Sequence, residues 1–262
     1  MPSSNVITLI DWEATRNNIF RVLNDHLLEN SSIHYGDPII IYYSGHGTTY
    51  PASIFWPRDL RTVQAILPVD RGQNDGDTKI PDIQDFEIND LLKELHAKRS
   101  ANITVILDCG FHSSAARPYI SSSEGDRHTI SLTYSEQERR ILRDKYAPRH
   151  WQAKPDVSTH VCIAVCEDYE HAWESEGMGI FTNRLLNILR QLPLSRTTYQ
   201  ELQRHLRESS TPRQHPVVYG VSKQDFIFRV GQNTSGAVYS LGTISQLLYH
   251  LHFRVTNLIT FS

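Results

Sequence analysis

The chain has 262 residues, a length that suits one large domain or two small ones and allows a sizeable core. A net charge of -3, with 21% charged and 39% hydrophobic residues, excludes the basic footprint of a nucleic-acid binder and a basic membrane patch. Three cysteines are too sparse for a disulfide scaffold, the start MPSSNVITLIDWEATR has no basic-then-apolar leader, and no run approaches the roughly 20 apolar residues of a membrane span, so a cytoplasmic protein is expected.

In chain order, residues 6–10 (VITLI) form a short β-branched run that predicts a strand. Ile19, Leu23 and Leu27, with Phe20 beside them, predict a helix. Pro38 then opens PIIIYYS, whose continuous rather than alternating hydrophobicity fits a strand covered on both faces. A helix is expected from about Asp85, a candidate N-cap, with Ile88, Leu91, Leu92 and Leu95 on one face. Residues 102–107 (NITVIL) and 160–165 (HVCIAV) predict two more buried strands. Ser135–Glu138 is a capping box ahead of a short helix over 139–146. Gly179 precedes a helix with Phe181, Leu185, Ile188, Leu189 and Leu192 inward, and Thr198–Glu201 caps another carrying Leu202 and Leu206. The strands VVYG (217–220) and FIFRV (226–230) close the pattern, and two long excursions, 48–81 and 110–159, stand between its elements. Strands alternating with helices predict an α/β fold with a mostly parallel sheet. The domain is expected to span 1–230, leaving 231–262 unassigned.

In open parallel sheets ligands bind beyond the carboxyl ends of the strands. PIIIYY ends there in Ser44 and His46, NITVIL in Asp108 and Cys109, and HVCIAV in Cys166, Glu167 and Asp168. A His on one strand end and a Cys on its neighbour is the arrangement of a thiol peptidase, in which the imidazole manages the thiol proton and the thiolate attacks a carbonyl. Backbone amides of the Gly45-His46-Gly47 turn could serve the developing oxyanion, with Gly47 the candidate donor. The bland readings stand beside these: a His after a strand is often structural, and a buried Cys usually acts as a small hydrophobe. Cys162, inside an apolar strand, reads as core, and Cys166 as core or site wall. Cys109 and His112 with His46 would make an incomplete metal set, so no metal ligand is assigned.

YYSGHG (42–47), AILPVD (65–70), IPDIQDFEINDLL (80–92), NITVILDC (102–109), CEDYEHAWE (166–174), GIFTNRLL (179–186) and HPVVYG (215–220) follow one another in an order that resembles the caspase-like cysteine peptidases, especially the metacaspase-type branch common in fungi. The resemblance covers roughly residues 6–230. It implies the caspase-hemoglobinase fold, a mostly parallel sheet flanked by helices, and cleavage of peptide or protein substrates after basic residues. It further implies that His46 is the catalytic histidine and that Ser44, Asp108 and Asp168 line the pocket for a basic side chain. Members usually carry a further strand and helix before the VITLI-like strand. Here VITLI is therefore expected either to pair beside PIIIYYS or to leave an internal position unfilled. The resemblance also implies calcium as a cofactor for some members, held by acidic loop residues. Asp70, Asp75, Asp77 and Asp82 make a loop of that character, with solvated carboxylates as the alternative.

The same resemblance places the nucleophile two residues after the Asp and immediately before His-Ser. In Asp108-Cys109-Gly110-Phe111-His112-Ser113 that position is Gly110 counted forward and Phe111 counted back. Cys109 matches the variable neighbour of the Asp. Successive side chains of a strand face opposite ways, so Cys109 is expected to point away from the side of Asp108. A bulge at the insertion could re-aim it. Two functions follow: a cysteine endopeptidase using His46 with Cys109 as a displaced nucleophile, or a non-catalytic caspase-like module that binds peptide or protein segments.

Overall fold

The computed structural model describes residues 7–56, 61–99, 102–111, 132–146, 157–167, 170–175, 178–209 and 214–227. Helix α1 (Arg16–Val22) begins where extended Thr15 takes the Asn18 N–H on its hydroxyl at 3.2 Å, and it continues into a π turn at Leu23–Leu28. Then come β1 (Pro38–Ser44), β2 (Gly47–Pro51), β3 (Thr62–Ile66), the short hairpin β4 (Asn74–Asp75) and β5 (Thr78–Lys79), and β6 (Ile83–Gln84). Helix α2 (Asp85–Arg99), β7 (Asn102–Asp108), α3 (Glu136–Tyr146) and β8 (His160–Ala164) follow. The hairpin β9 (Glu174–Ser175) and β10 (Met178–Gly179) leads into α4 (Ile180–Gln191), α5 (Tyr199–Glu208) and β11 (Val217–Tyr219).

The main sheet has the order β1-β7-β8-β11. β1 and β7 run parallel in a register that ends with Ser44 opposite Asp108, β8 continues in parallel, and β11 joins β8 antiparallel. Alternation along the strands divides the core in two. Ile39, Ile41, Tyr43, Ile103 and Val105 pack under α1 and α2 with Leu23, Leu92 and Leu95. Tyr42, Ile106, Val161 and Ile163 pack under α4 and α5 with Phe181, Leu185, Leu186, Leu202 and Leu206. Both faces are covered, as the continuous hydrophobicity of these strands requires.

The two capping boxes form as expected. Ser135 and Glu138 bond reciprocally at 2.7 and 3.3 Å, and Thr198 and Glu201 at 2.8 and 3.1 Å. Four expectations are corrected. The excursion 48–81 is not a loop: β2, β3 and β6 make a second, antiparallel sheet over a cluster of Tyr50, Val63, Ala65, Phe86 and Leu142. VITLI is not a strand in its described part, where only Leu9 makes a bridge, because Asp11 takes φ 48° and a 3-10 turn carries the chain away. Phe226 likewise makes one bridge, to Thr198, and Ile227 lies in a turn, while 228–230 fall outside the described residues. Asp85 is the first residue of α2 rather than its cap, and burial pushes its carboxyl up to about 6 against backbone hydrogen bonds at Phe86 and Gln64. No helix among the described residues is long and apolar enough to cross a membrane.

Candidate functional site

The register of β1 and β7 sets Ser44 beside Asp108 at the carboxyl edge, and alternation turns both toward α4. Ser44 is half-buried and Asp108 is fully buried. The Thr182 hydroxyl donates to Asp108 Oδ2 at 2.6 Å. Its one proton being used there, the Tyr42 hydroxyl 2.6 Å away must donate to Thr182 in turn. Thr182 lies in the first turn of α4, whose N-cap, Gly179, supplies no side-chain cap. Asp108 thus brings a carboxylate to a helix end that favours negative charge. The approach is close: a β-carbon at Gly179 would lie 2.0 Å from Asp108 Oδ2, so only glycine fits.

His46 is exposed just past β1. Its carbonyl accepts the Leu67 N–H at 3.2 Å and the Tyr43 hydroxyl, and burial holds that phenol protonated far above its ordinary range. The Gly45 N–H donates to the Asp108 carbonyl at 3.4 Å, which directs that amide away from any substrate. Gly47, the candidate oxyanion donor, is buried and pairs with Ile66 at the start of β2. A β-carbon there would meet the Gly110 carbonyl at 2.6 Å and the Phe111 ring at 2.8 Å. The His46 turn and the Gly110-Phe111 segment are therefore in contact.

Cys109 goes the other way. It is 1% exposed and belongs to the apolar cluster under α1 and α2, with Ile41, Tyr43, Ile83 and Leu92. β7 remains regular through Asp108, so alternation sends Asp108 to the α4 face and Cys109 to the opposite one. A thiol so enclosed has no path to a substrate carbonyl in this conformation. The two positions where a nucleophile was expected hold Gly110, buried, and Phe111, half-buried against Gly47.

The segment after β8 walls the other side of Gly110. A β-carbon at Gly110 would sit 3.2 Å from the Ala172 amide nitrogen and 3.7 Å from the Glu170 carbonyl. Glu170 organises this wall by accepting the N–H groups of Glu167 at 3.2 Å and His215 at 2.7 Å and by contacting the His215 ring. Burial raises its carboxyl, but the bonds to His215 and Glu167 outweigh this and hold it below the usual range. Glu170 and Ala172 were missed in the sequence because one carboxylate among several and an alanine carry no motif that sets them apart. The only signal was their place in CEDYEHAWE after a strand end. Cys166 is buried, its thiol 3.5 Å from the Glu170 carbonyl, and desolvation pushes the Cys162 thiol up to about 12, so both are wall or core. Asp168, His112 and Ser113 lie outside the described residues.

Calcium takes six to eight oxygen ligands from carboxylates, carbonyls and water, and the acidic loop does not gather its carboxylates around one point. Asp82, fully buried, takes Arg71 Nε at 2.6 Å on one oxygen and Arg71 Nη2 at 2.8 Å on the other, with the Tyr50 hydroxyl also bonded. Asp70 accepts the Arg16 N–H at 2.8 Å. Asp75 and Asp77 are exposed in the β4–β5 hairpin, with Lys145 3.9 Å from Asp75. Among the described residues no group of three or more His, Cys, Asp or Glu side chains is arranged to hold a metal ion.

A family model described as a caspase domain, of a peptidase family, matches residues 6–227. The fold is similar to the crystal structure of protein GSU0716 from Geobacter sulfurreducens, with a TM-score of 0.57 and 18% identity over 81% of this chain and 75% of that one. Comparison with curated proteins gave no match.

Proposed function

Since the chain belongs to the caspase-domain family of cysteine peptidases, whose substrates are proteins or peptides, we propose that it binds peptide segments at the family's cleft without cleaving them. The observation that carries this reading is Cys109: a 1% exposed thiol in an apolar cluster, on the face opposite Asp108. Thiol catalysis needs nucleophile and base within hydrogen-bond reach of each other and of the substrate. Gly110 and Phe111 have no group that could substitute.

A bound segment would lie across the strand ends, between the His46 turn and the wall at residues 170–172. It would carry a basic side chain, drawn to Ser44 and to the charge of Asp108. Because Gly179 packs against the Asp108 carboxylate, the side chain meets Ser44 first, and a direct ion pair requires Gly179 to give way.

The test pairs fluorescence anisotropy of labelled peptides bearing Arg or norleucine with mass-spectrometric detection of cleavage. The expected result is binding that favours Arg, survives Cys109→Ala, weakens in Asp108→Asn, and yields no product. Turnover lost in His46→Ala would overturn the proposal and support the second reading, a displaced-nucleophile endopeptidase. That reading is favoured by one observation, the exposed His46 retained at the end of β1.

A further inference from the structure

The misfit between the acidic loop and calcium has a structural cause. Asp82 stands at the junction of four segments: Arg71 from the loop after β3, Tyr50 from β2, Arg16 from α1, and Leu132 ahead of α3. Arg71 grips both carboxylate oxygens in a bidentate fork, and its side chain is only 20% exposed. The Tyr50 hydroxyl bonds Asp82 and accepts the Leu132 N–H at 2.9 Å. Arg16 reaches the Asp82 carbonyl at 3.1 Å, pairs with buried Glu87, and stacks over the Tyr146 ring at 4.4 Å. Two guanidinium groups thereby neutralise the buried carboxylates Asp82 and Glu87. Burial alone would lower the Arg71 pKa, but the Asp82 carboxylate outweighs it and keeps the guanidinium charged.

The loop so held is the one bonded to the His46 turn. Leu67 N–H meets the His46 carbonyl, Val69 N–H meets the Ala14 carbonyl at 3.1 Å, and Gly72 N–H meets the Ile80 carbonyl at 2.8 Å. A carboxylate buried here without a counter-cation would be costly, and a divalent ion is one way to supply the charge. In this chain an arginine supplies it.

We infer that Arg71 is a resident cation that occupies Asp82 and makes the shape of residues 67–82, and of the His46 turn bonded to them, independent of divalent ions. This stands on the network alone and holds whether or not the domain cleaves peptides.

Thermal unfolding of the full chain in millimolar calcium chloride and in EGTA tests it, together with a double-mutant cycle. The wild-type midpoints are expected to agree within ~1 °C, since an ion that does not bind the native state does not stabilise it. Arg71→Met, which strands Asp82 in the interior, is expected to lower the midpoint by roughly 8–15 °C. The Arg71→Met/Asp82→Asn double variant should melt several degrees above Arg71→Met. If Arg71→Met does not fold, Arg71→Lys keeps the charge without the fork and should melt roughly 3–6 °C below wild type, again indifferent to calcium. A calcium-dependent rise of about 3 °C or more in wild type, or single-variant losses that simply add in the double variant, would overturn the inference.

Discussion

At the end of β7, two adjacent residues meet opposite surroundings. Asp108 faces α4 and is held by the Thr182 hydroxyl, behind which stands Tyr42. Cys109 faces α1 and α2 and is enclosed by aliphatic side chains and Tyr43. The polar face preserves a carboxylate at great steric expense, since Gly179 must lack a side chain for it to fit. The apolar face treats its cysteine as it treats Ile41 or Leu92. The difference teaches that a residue next to an active-site position in sequence is not next to it in space. A strand's period of two sends neighbours to separate cores.

Variants can break or sharpen this contrast. The largest effect is expected from Gly179→Val, which drives a side chain into the Asp108 carboxylate and should cost about 3 kcal/mol in urea unfolding. Asp108→Ala strands the Thr182 and Tyr42 hydroxyls and should cost about 2 kcal/mol, with Asp108→Asn recovering part of it. On the other face Cys109→Ser, which buries a hydroxyl in the apolar cluster, should cost more than Cys109→Ala, the latter about 1 kcal/mol. That order would reverse if Cys109 faced a polar cleft.

Asp85, the first residue of α2, adds a titration, its carboxyl set against the backbone of Phe86 and of Gln64 in β3. Its folded carboxyl binds a proton more tightly than the ordinary value of 3.8, at about 6. It therefore contributes stability below about pH 4 that is lost as pH rises through about 6. Asp85→Asn is expected to stabilise the chain by about 1–2 kcal/mol at pH 7 and to lose that gain at pH 4. Unfolding curves at the two pH values check this.

Much of the fold was legible because hydrophobic continuity in PIIIYYS, NITVIL and HVCIA specifies strands covered twice, and because the Ser135 and Thr198 capping boxes mark helix starts locally. β2 was not legible: Thr48 is fully buried and Tyr50 nearly so, but threonines hide the alternation. VITLI reads as a strand until Asp11 enters a left-handed conformation, which aspartate tolerates better than most residues but does not require. In the site, the outward and inward assignment of Asp108 and Cys109 followed from period two alone. The contact of Gly179 with Asp108 and the fork of Arg71 on Asp82 did not, because both depend on how distant segments meet. Counting carboxylates in the loop at 70–82 overlooked the arginine among them.

The most direct test of the site is the reactivity of Cys109 in the native chain. A thiol-directed peptidyl-arginine probe is incubated with the folded protein, and the adducts are mapped by mass spectrometry before and after denaturation. The enclosed thiol predicts no Cys109 adduct until the chain is unfolded. A stoichiometric adduct on native Cys109 that disappears in His46→Ala would show a working nucleophile and contradict its place in the core.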